Sequence, residues 1–139
     1  MRDVDHNLFV YGTLRRGSSN DFAKLLRRSA EWIGHGRARG RLYLISAYHG
    51  FVPSEIEGDW VYGDVYRLQT PELMFLELDR YEGCSATCAQ PHEYRRSPSK
   101  VLLETGMWIE ASIYLYAADI SGKQRILSGD FLKEQAGLV

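Results

Sequence analysis

The chain has 139 residues, 45% of them hydrophobic and 25% charged, and its 17 basic and 18 acidic side chains give a net charge of −1. This length and composition suit one ordinary globular domain, so we expect a single domain over residues 1–139. The absence of a basic surplus predicts no nucleic-acid partner, and no apolar run reaches the ~20 residues that span a bilayer, so no membrane is predicted either.

The first predicted element is a buried strand, the apolar run at residues 8–11. The loop over residues 12–20 follows, rich in glycine and small polar residues. It leads into a helix that Ser19 or Asn20 can cap by accepting a free backbone N–H, and that continues through residues 22–28. A strand, a glycine loop and a helix in this order leave backbone N–H groups pointing at one spot, where they can bind a carboxylate or phosphate.

The middle of the chain favours strands. Residues 32–45 alternate arginines with smaller or apolar residues, which suits a strand with one solvated face. Residues 48–59 contain glycines and Pro53 and are predicted to form a loop. Residues 60–68 are rich in strand-forming side chains, and their central Gly63 indicates a bulge or a close backbone approach.

A second helix is predicted to begin at Pro71, with Thr70 as its N-cap and Gly83 at its end. Its leucine-rich interval, residues 72–82, has the best helical pattern of the chain. Glu82 would follow Leu78 by one turn on the same side, so we expect its side chain beside apolar neighbours. Apolar surroundings and the negative end of the helix dipole both raise a carboxyl pKa, which suits a general acid or base. The alternative is that Glu82 lies in solvent beyond the last turn.

Two further strands, residues 94–103 and 107–117, are predicted to form a hairpin that turns at residues 104–106. Pro98 within the first of them implies an edge strand or a break, because proline cannot donate to the ladder. Residues 128–133 are predicted as a short terminal helix. Strands predominate and two main helices interrupt them, so the predicted class is α+β.

Two segments together resemble a known family. Tyr11-Gly12-Thr13-Leu14, followed by Arg15-Arg16-Gly17, resembles the substrate loop of the gamma-glutamylcyclotransferase-like family, especially its gamma-glutamylamine cyclotransferase branch. Leu78-Asp79-Arg80-Tyr81-Glu82-Gly83 resembles the second motif of that family. Further matching segments, in the expected order, are Tyr94-Arg95-Arg96, Ile113-Tyr114-Leu115-Tyr116 and Ser128-Gly129-Asp130-Phe131.

The resemblance implies a compact mixed β-barrel-like sheet with two main helices and a cavity. It assigns the acid/base role to Glu82, and binding of the glutamyl group, chiefly through backbone amides, to Tyr11, Gly12, Thr13 and Leu14. The expected reaction releases 5-oxoproline and a free amine or amino acid from a small-molecule gamma-glutamyl amide, without a metal or cofactor. Tyr116 is a further candidate, since its strand can turn a hydroxyl towards the cavity.

Other classes of site are less well supported by the residues. The spacing Gly12-x₄-Gly17 resembles the start of a P-loop, but Ser18 stands where lysine is required. Cys84, Cys88 and His92 recur at four-residue intervals, yet they are too few for a structural zinc site. Nothing in the sequence supplies a base for a cysteine nucleophile either, so ordinary free thiols are expected. His6, His35 and His49 are expected at the surface without partners.

The expected compartment is the cytoplasm. The amino terminus is polar and acidic and lacks a signal-peptide layout, and two cysteines do not form a disulfide framework. A non-catalytic small-molecule-binding domain on the same fold is the alternative function, and a protein-interaction module with exposed aromatic residues is a weaker third.

Overall fold

The computed structural model describes residues 5–12, 14–15 and 21–132, and these contain seven strands and two helices. The strands are β1 (Asn7–Val10), β2 (Ala30–Leu44), β3 (His49–Pro53), β4 (Trp60–Leu68), β5 (Tyr94–Leu103), β6 (Trp108–Tyr116) and β7 (Gln124–Ile126). The helices are α1 (Asp21–Ser29) and α2 (Pro71–Tyr81). No helix in the described part of the chain has the length and hydropathy needed to cross a membrane.

The sheet closes on itself. Its strands follow the order β1-β4-β2-β3-β6, and a parallel contact between β1 and β6 joins the two ends into a ring of five strands. β5 forms a long antiparallel hairpin with β6 and also pairs with β2 at its carboxyl end, while β7 pairs with β2. This arrangement confirms the α+β class and the barrel-like sheet with two main helices.

Two apolar clusters explain why the first strand is apolar on both faces. Successive side chains of a strand point to opposite faces. Phe9 accordingly lies in the cluster inside the barrel with Val65 and Ile113, while Leu8 lies in the cluster beneath the helices, with Leu78 of α2. All five are at most 1% exposed, and burial of each such side chain contributes about 1.5–3 kcal/mol.

Several local predictions are confirmed. β4 has the predicted bounds, β5 and β6 form the predicted hairpin, and α2 has Pro71 at its start. Gly63 marks a close approach rather than a bulge, since a Cβ there would overlap the carbonyl oxygen of Val10. The register shift occurs instead between Trp32 and Gly34 of β2. Pro98 lies where β5 pairs with β6 alone, as an edge position requires.

Other local predictions need correction. The predicted loop over residues 48–59 contains β3, which is held by pairing with β2 and β6 despite its glycine and proline. Thr70 precedes α2 but makes no side-chain capping hydrogen bond. Ser19 and Asn20, the predicted caps of α1, lie outside the described residues. Of the predicted terminal helix 128–133, Phe131 and Leu132 are helical, and Lys133 lies outside the described part.

Candidate active site

A cavity of about 430 Å³ opens where the ends of several elements meet, a volume within the range of small-molecule sites. The end of β1 and the turn after it contribute residues 9–12 and Leu14, and the end of α2 contributes residues 81–83. The other walls are formed by Tyr48 and His49 at the start of β3, Glu93 and Tyr94 at the start of β5, and Tyr114 of β6.

Glu82 lines this cavity from the end of α2. The helix stops at Tyr81 because Gly83 takes a left-handed φ of +73°, which favours glycine. The N–H of Glu82 still donates to the Leu78 carbonyl at 2.8 Å, so the last turn fixes the direction of its side chain. The side chain is therefore half-buried at the cavity wall and not free in solvent.

The carboxyl group of Glu82 is sheltered but unpaired. It forms no hydrogen bond or ion pair with any described residue. Burial raises its pKa from 4.5 to about 7, because desolvation disfavours the charged form. A carboxyl group with this pKa can both accept and return a proton near neutral pH.

Tyr11 shows that the first motif and the second motif share this cavity. Its hydroxyl donates to the Tyr114 carbonyl at 2.6 Å and accepts the N–H of Phe51 at 3.2 Å. Burial raises the pKa of Tyr11, and the nearby charge of Glu82 raises it further. The hydroxyl is thus engaged within the protein, so any contribution of Tyr11 to ligand binding falls to its ring and backbone.

The first turn also contributes backbone donors at the cavity wall, since Gly12 and Leu14 line it. The N–H of Arg15 donates to the Gly12 carbonyl at 3.0 Å, which closes the turn. Among residues that the structure describes, no acceptor is found for the N–H of Gly12 or of Leu14. The Leu14 side chain is 5% exposed and packs beneath the helices. Thr13, the other predicted binding residue of this turn, lies outside the described residues.

Asp79 supports the site in a way that the sequence did not suggest. Its carboxylate accepts hydrogen bonds from Arg96 at 2.9 and 3.2 Å and from the Tyr114 hydroxyl at 2.6 Å. These contacts tie α2 to β5 and β6, on either side of the cavity. Its partners lie 17 and 35 positions further along the chain, and only the fold brings them to it.

A second group of lining residues was also missed from the sequence. Tyr48 donates to the Oε1 atom of Glu93 at 2.5 Å, and Tyr94 donates to the carbonyl of His49 at 2.6 Å. His49 is half-buried at the cavity wall, which corrects its expected surface position, and burial lowers its pKa. In each of these two hydrogen bonds the donor and acceptor residues are 45 positions apart, so no local sequence pattern predicts the contact.

Tyr116, the predicted binding residue of β6, reaches the cavity only indirectly. Tyr114 of the same strand is a lining residue, whereas Tyr116 contacts Tyr94 edge to face with ring centroids 5.5 Å apart. Alternation along the strand places the two on the same face, and the cavity ends between them. A ligand-binding role for Tyr116 stays a prediction.

The cysteines do not form an alternative centre. Burial raises the pKa of Cys84 to about 11, so its thiol is protonated at neutral pH. Cys88 lies 3.1 Å from the hydroxyl of Ser85, and the ring of His92 contacts the Cys88 carbonyl. Within residues 5–12, 14–15 and 21–132, no three histidine, cysteine, aspartate or glutamate side chains are grouped so as to hold a metal ion.

A second buried carboxylate lies on β4, away from this cavity. Asp64 is 0% exposed and accepts hydrogen bonds from Arg15 Nε at 3.2 Å and Trp32 Nε1 at 3.2 Å. Its Oδ1 atom also lies 2.7 Å from Nδ1 of His35, its cross-strand neighbour on β2. His35 therefore has a partner, contrary to the expectation from sequence.

Comparison with known proteins extends the resemblance of the two motifs. The model of the family "Gamma-glutamyl cyclotransferase, AIG2-like" matches residues 8–133. A protein of Methanocaldococcus jannaschii that carries the provisional name gamma-glutamylcyclotransferase is 30% identical over 112 residues, which are 78% of this chain and 82% of that protein. Gamma-glutamylaminecyclotransferase A of Danio rerio is 31% identical over 116 residues, 78% of this chain and 67% of the relative.

Among solved structures, YkqA from Bacillus subtilis superimposes with a TM-score of 0.71 at 26% identity. The match covers 96% of this chain but 42% of YkqA, so this chain corresponds to less than half of that protein. The shared architecture therefore extends over nearly all of the chain described above.

Proposed function

Because the chain belongs to the gamma-glutamyl cyclotransferase, AIG2-like family, we propose that it is an enzyme that cyclises the gamma-glutamyl group of a small amide. The products are 5-oxoproline and a free amine or amino acid. The observation that carries the proposal is the unpaired carboxyl group of Glu82, held in the cavity beside the Tyr11–Gly12 turn with a pKa of about 7. The name of the zebrafish relative favours gamma-glutamylamines as substrates.

Proton transfer through Glu82 accounts for the chemistry. The carboxylate takes a proton from the substrate's α-ammonium group, and the freed amine attacks the γ-carbonyl carbon of the same molecule. A C–N bond forms in the five-membered ring, and Glu82 returns the proton to the leaving nitrogen. The original amide C–N bond breaks as the ring nitrogen gives its second proton to Glu82, which passes it to the released amine, so the amine leaves as an ammonium group. Because the nucleophile is tethered to its target, holding the substrate in a bent conformation supplies much of the rate acceleration.

Backbone donors of the first turn suit the negative charges of this substrate. The N–H groups of Gly12 and Leu14, for which the described residues offer no acceptor, can bind the α-carboxylate or the oxyanion that develops during attack. We assign the same role to the backbone of Thr13, as the sequence predicts. The cyclisation moves only protons and one acyl group, so we propose that it proceeds without a cofactor. The cytoplasm, expected from the sequence, is the compartment that we propose for it.

Measurement of 5-oxoproline release tests the proposal. A panel of gamma-glutamyl amines, amino acids and peptides is incubated with the wild-type chain, with Glu82→Gln and with Glu77→Gln. Glu77 lies on the same helix with a 57% exposed side chain, which makes it a matched control. We expect Glu82→Gln to lower kcat by roughly 10²–10⁴-fold, the usual contribution of a general acid or base, and Glu77→Gln to retain wild-type kcat.

Two outcomes contradict this assignment. If a folded Glu82→Gln protein, checked by circular dichroism, turns over at the wild-type rate, Glu82 is not the acid/base. If the wild-type chain releases no 5-oxoproline from any substrate of the panel, the alternative of a non-catalytic binding domain replaces the enzyme.

A further inference from the structure

Glu93 is a second carboxylate at the cavity, and the proposed cyclisation does not use it. It stands immediately before β5 and lines the cavity together with Tyr94. Its Oε1 atom accepts a hydrogen bond from the Tyr48 hydroxyl at 2.5 Å, which orients the carboxylate at the cavity wall. In the described part of the chain no lysine or arginine forms an ion pair with Glu93, so its negative charge is not neutralised by the protein.

Three tyrosines lie near this carboxylate, and its charge acts on each of them. The rings of Tyr48 and Tyr94 have centroids 6.2 Å apart and are tilted by 55°, and Tyr116 contacts Tyr94 edge to face. The hydrogen bond to Glu93 raises the pKa of Tyr48, and burial followed by the charge of Glu93 raises the pKa of Tyr116. Tyrosine rings near a carboxylate add a quadrupole attraction for a cation to the attraction of the carboxylate charge.

The charges of the cavity lining also favour a positively charged ligand. Its described lining residues include two acids, Glu82 and Glu93, and no lysine or arginine. Burial lowers the pKa of His49, so this ring is neutral at pH 7 and adds no positive charge. In the proposed reaction Glu82 meets the α-ammonium group of the glutamyl moiety, which leaves Glu93 without a positive partner in the substrate.

We propose, on the basis of the proposed function, that Glu93 with Tyr48 and Tyr94 binds a positively charged group at the far end of the leaving amine. The preferred substrate class is then a gamma-glutamyl derivative of a diamine, with one nitrogen in the scissile amide and the other a free ammonium group. Only the amide C–N bond breaks, and the distal ammonium leaves with the product unchanged. Glu93 acts in this scheme as a specificity-determining residue and takes no part in proton transfer.

Three synthetic probes of one length test the proposal. They are the gamma-glutamyl amides of 1,4-diaminobutane, of butylamine and of 4-aminobutyrate, which end in a cation, a methyl group and an anion. We expect kcat/KM for 5-oxoproline release to be about tenfold higher for the cationic than for the neutral probe, chiefly through KM, with the anionic probe poorest. This is the size typical of one charge-assisted contact.

Substitution of Glu93 then identifies the source of the preference. Glu93→Gln should lower the cationic-to-neutral ratio of kcat/KM about tenfold, and Tyr48→Phe should lower it less, because the carboxylate remains but loses its hydroxyl donor. Glu104→Gln, an exposed acid in the β5–β6 turn, is the control and should keep the wild-type ratio.

The possible results separate this inference from the function on which it rests. If none of the probes yields 5-oxoproline, the proposed cyclisation itself fails. If all three are cyclised but the cationic and neutral probes have equal kcat/KM, the inference about Glu93 is overturned and the cyclisation stands. The inference is likewise overturned if Glu93→Gln leaves the cationic-to-neutral ratio at its wild-type value.

Discussion

Glu82 and Asp64 are both carboxyl groups sheltered from water, but the protein treats them in opposite ways. Asp64 is surrounded by donors from Arg15, Trp32 and His35, and none of its surface is exposed. Glu82 is half-buried at a cavity wall and has no partner among the described residues. Both regions therefore shelter a carboxyl group, and they differ in whether hydrogen-bond donors surround it.

This difference has a physical cause and a functional consequence. A buried charge is tolerated when ion pairs and hydrogen bonds replace the lost hydration, and such a group contributes to the fold. A carboxyl group that loses hydration without replacement becomes harder to ionise, which costs stability but provides a proton acceptor near neutral pH. On this comparison we expect Asp64 to stabilise the barrel wall, and we propose Glu82 as the group that transfers protons.

The largest effect that tests this comparison is expected at Asp64. Among the described residues, Asp64→Asn leaves Arg15 with Asp130 as its one charged partner, so we expect the free energy of unfolding to fall by roughly 3 kcal/mol or more. Glu82→Gln, by contrast, should not reduce the free energy of unfolding at pH 7, because no contact is lost. Urea denaturation of the two variants and the wild type measures both values.

A free energy of unfolding for Asp64→Asn within about 1 kcal/mol of the wild type would show that the three donors do not stabilise this region. Glu77→Gln serves again as the control, since its partner Arg80 lies 3.7 Å away on the exposed side of α2. Surface pairs of this kind contribute about 0–1 kcal/mol.

A pH dependence of similar or slightly smaller size is expected from Glu82. Between pH 4.5 and about 7 the folded protein keeps a proton on Glu82 that the unfolded chain has lost. The unfolded state thus binds fewer protons, and stability falls as pH rises through this window. The cost is absent below pH 4.5 and complete above about pH 7, and a shift of this size corresponds to roughly 3 kcal/mol.

This dependence is measured as a difference between two proteins. The free energy of unfolding of the wild type minus that of Glu82→Gln, followed from pH 4 to pH 8, should decline by roughly 3 kcal/mol, because all other titrating groups cancel. A difference that stays constant over this range would mean that Glu82 titrates at its ordinary pKa, and the proposed acid/base role would lose its physical basis.

The sequence predicted the position of Glu82 far better than it predicted the residues that form the cavity wall around it. A resemblance of short segments named Glu82 and the Tyr11–Gly12 turn, and the fold places both at one cavity. The same segments carry no information on which distant residues complete the wall. Tyr48 and Glu93 meet across 45 positions, because the fold brings the residue before β3 next to the residue before β5.

Local patterns failed where tertiary pairing overrode them. Glycine and proline predicted a loop at residues 48–59, yet β3 forms there because β2 and β6 supply hydrogen-bond partners on both sides. His35 appeared to lack a partner since Asp64 lies on another strand, opposite it in register. Side-chain pairs across a sheet are set by register, and no single stretch of sequence contains that register.

The smallest effect is expected at Tyr114, which lies at the cavity yet directs its hydroxyl to Asp79 at 2.6 Å. Tyr114→Phe keeps the ring and leaves Asp79 paired with Arg96, so we expect the free energy of unfolding to fall by about 1–2 kcal/mol. Tyr62→Phe, whose ring is 37% exposed on β4, should change it little. If Tyr114 only supports α2, kcat/KM of Tyr114→Phe for 5-oxoproline release should stay within about threefold of the wild type, less than general acid–base catalysis contributes.

A fall in the kcat of Tyr114→Phe of more than about a hundredfold at unchanged stability would instead place the Tyr114 hydroxyl beside Glu82 as a second proton-transfer group.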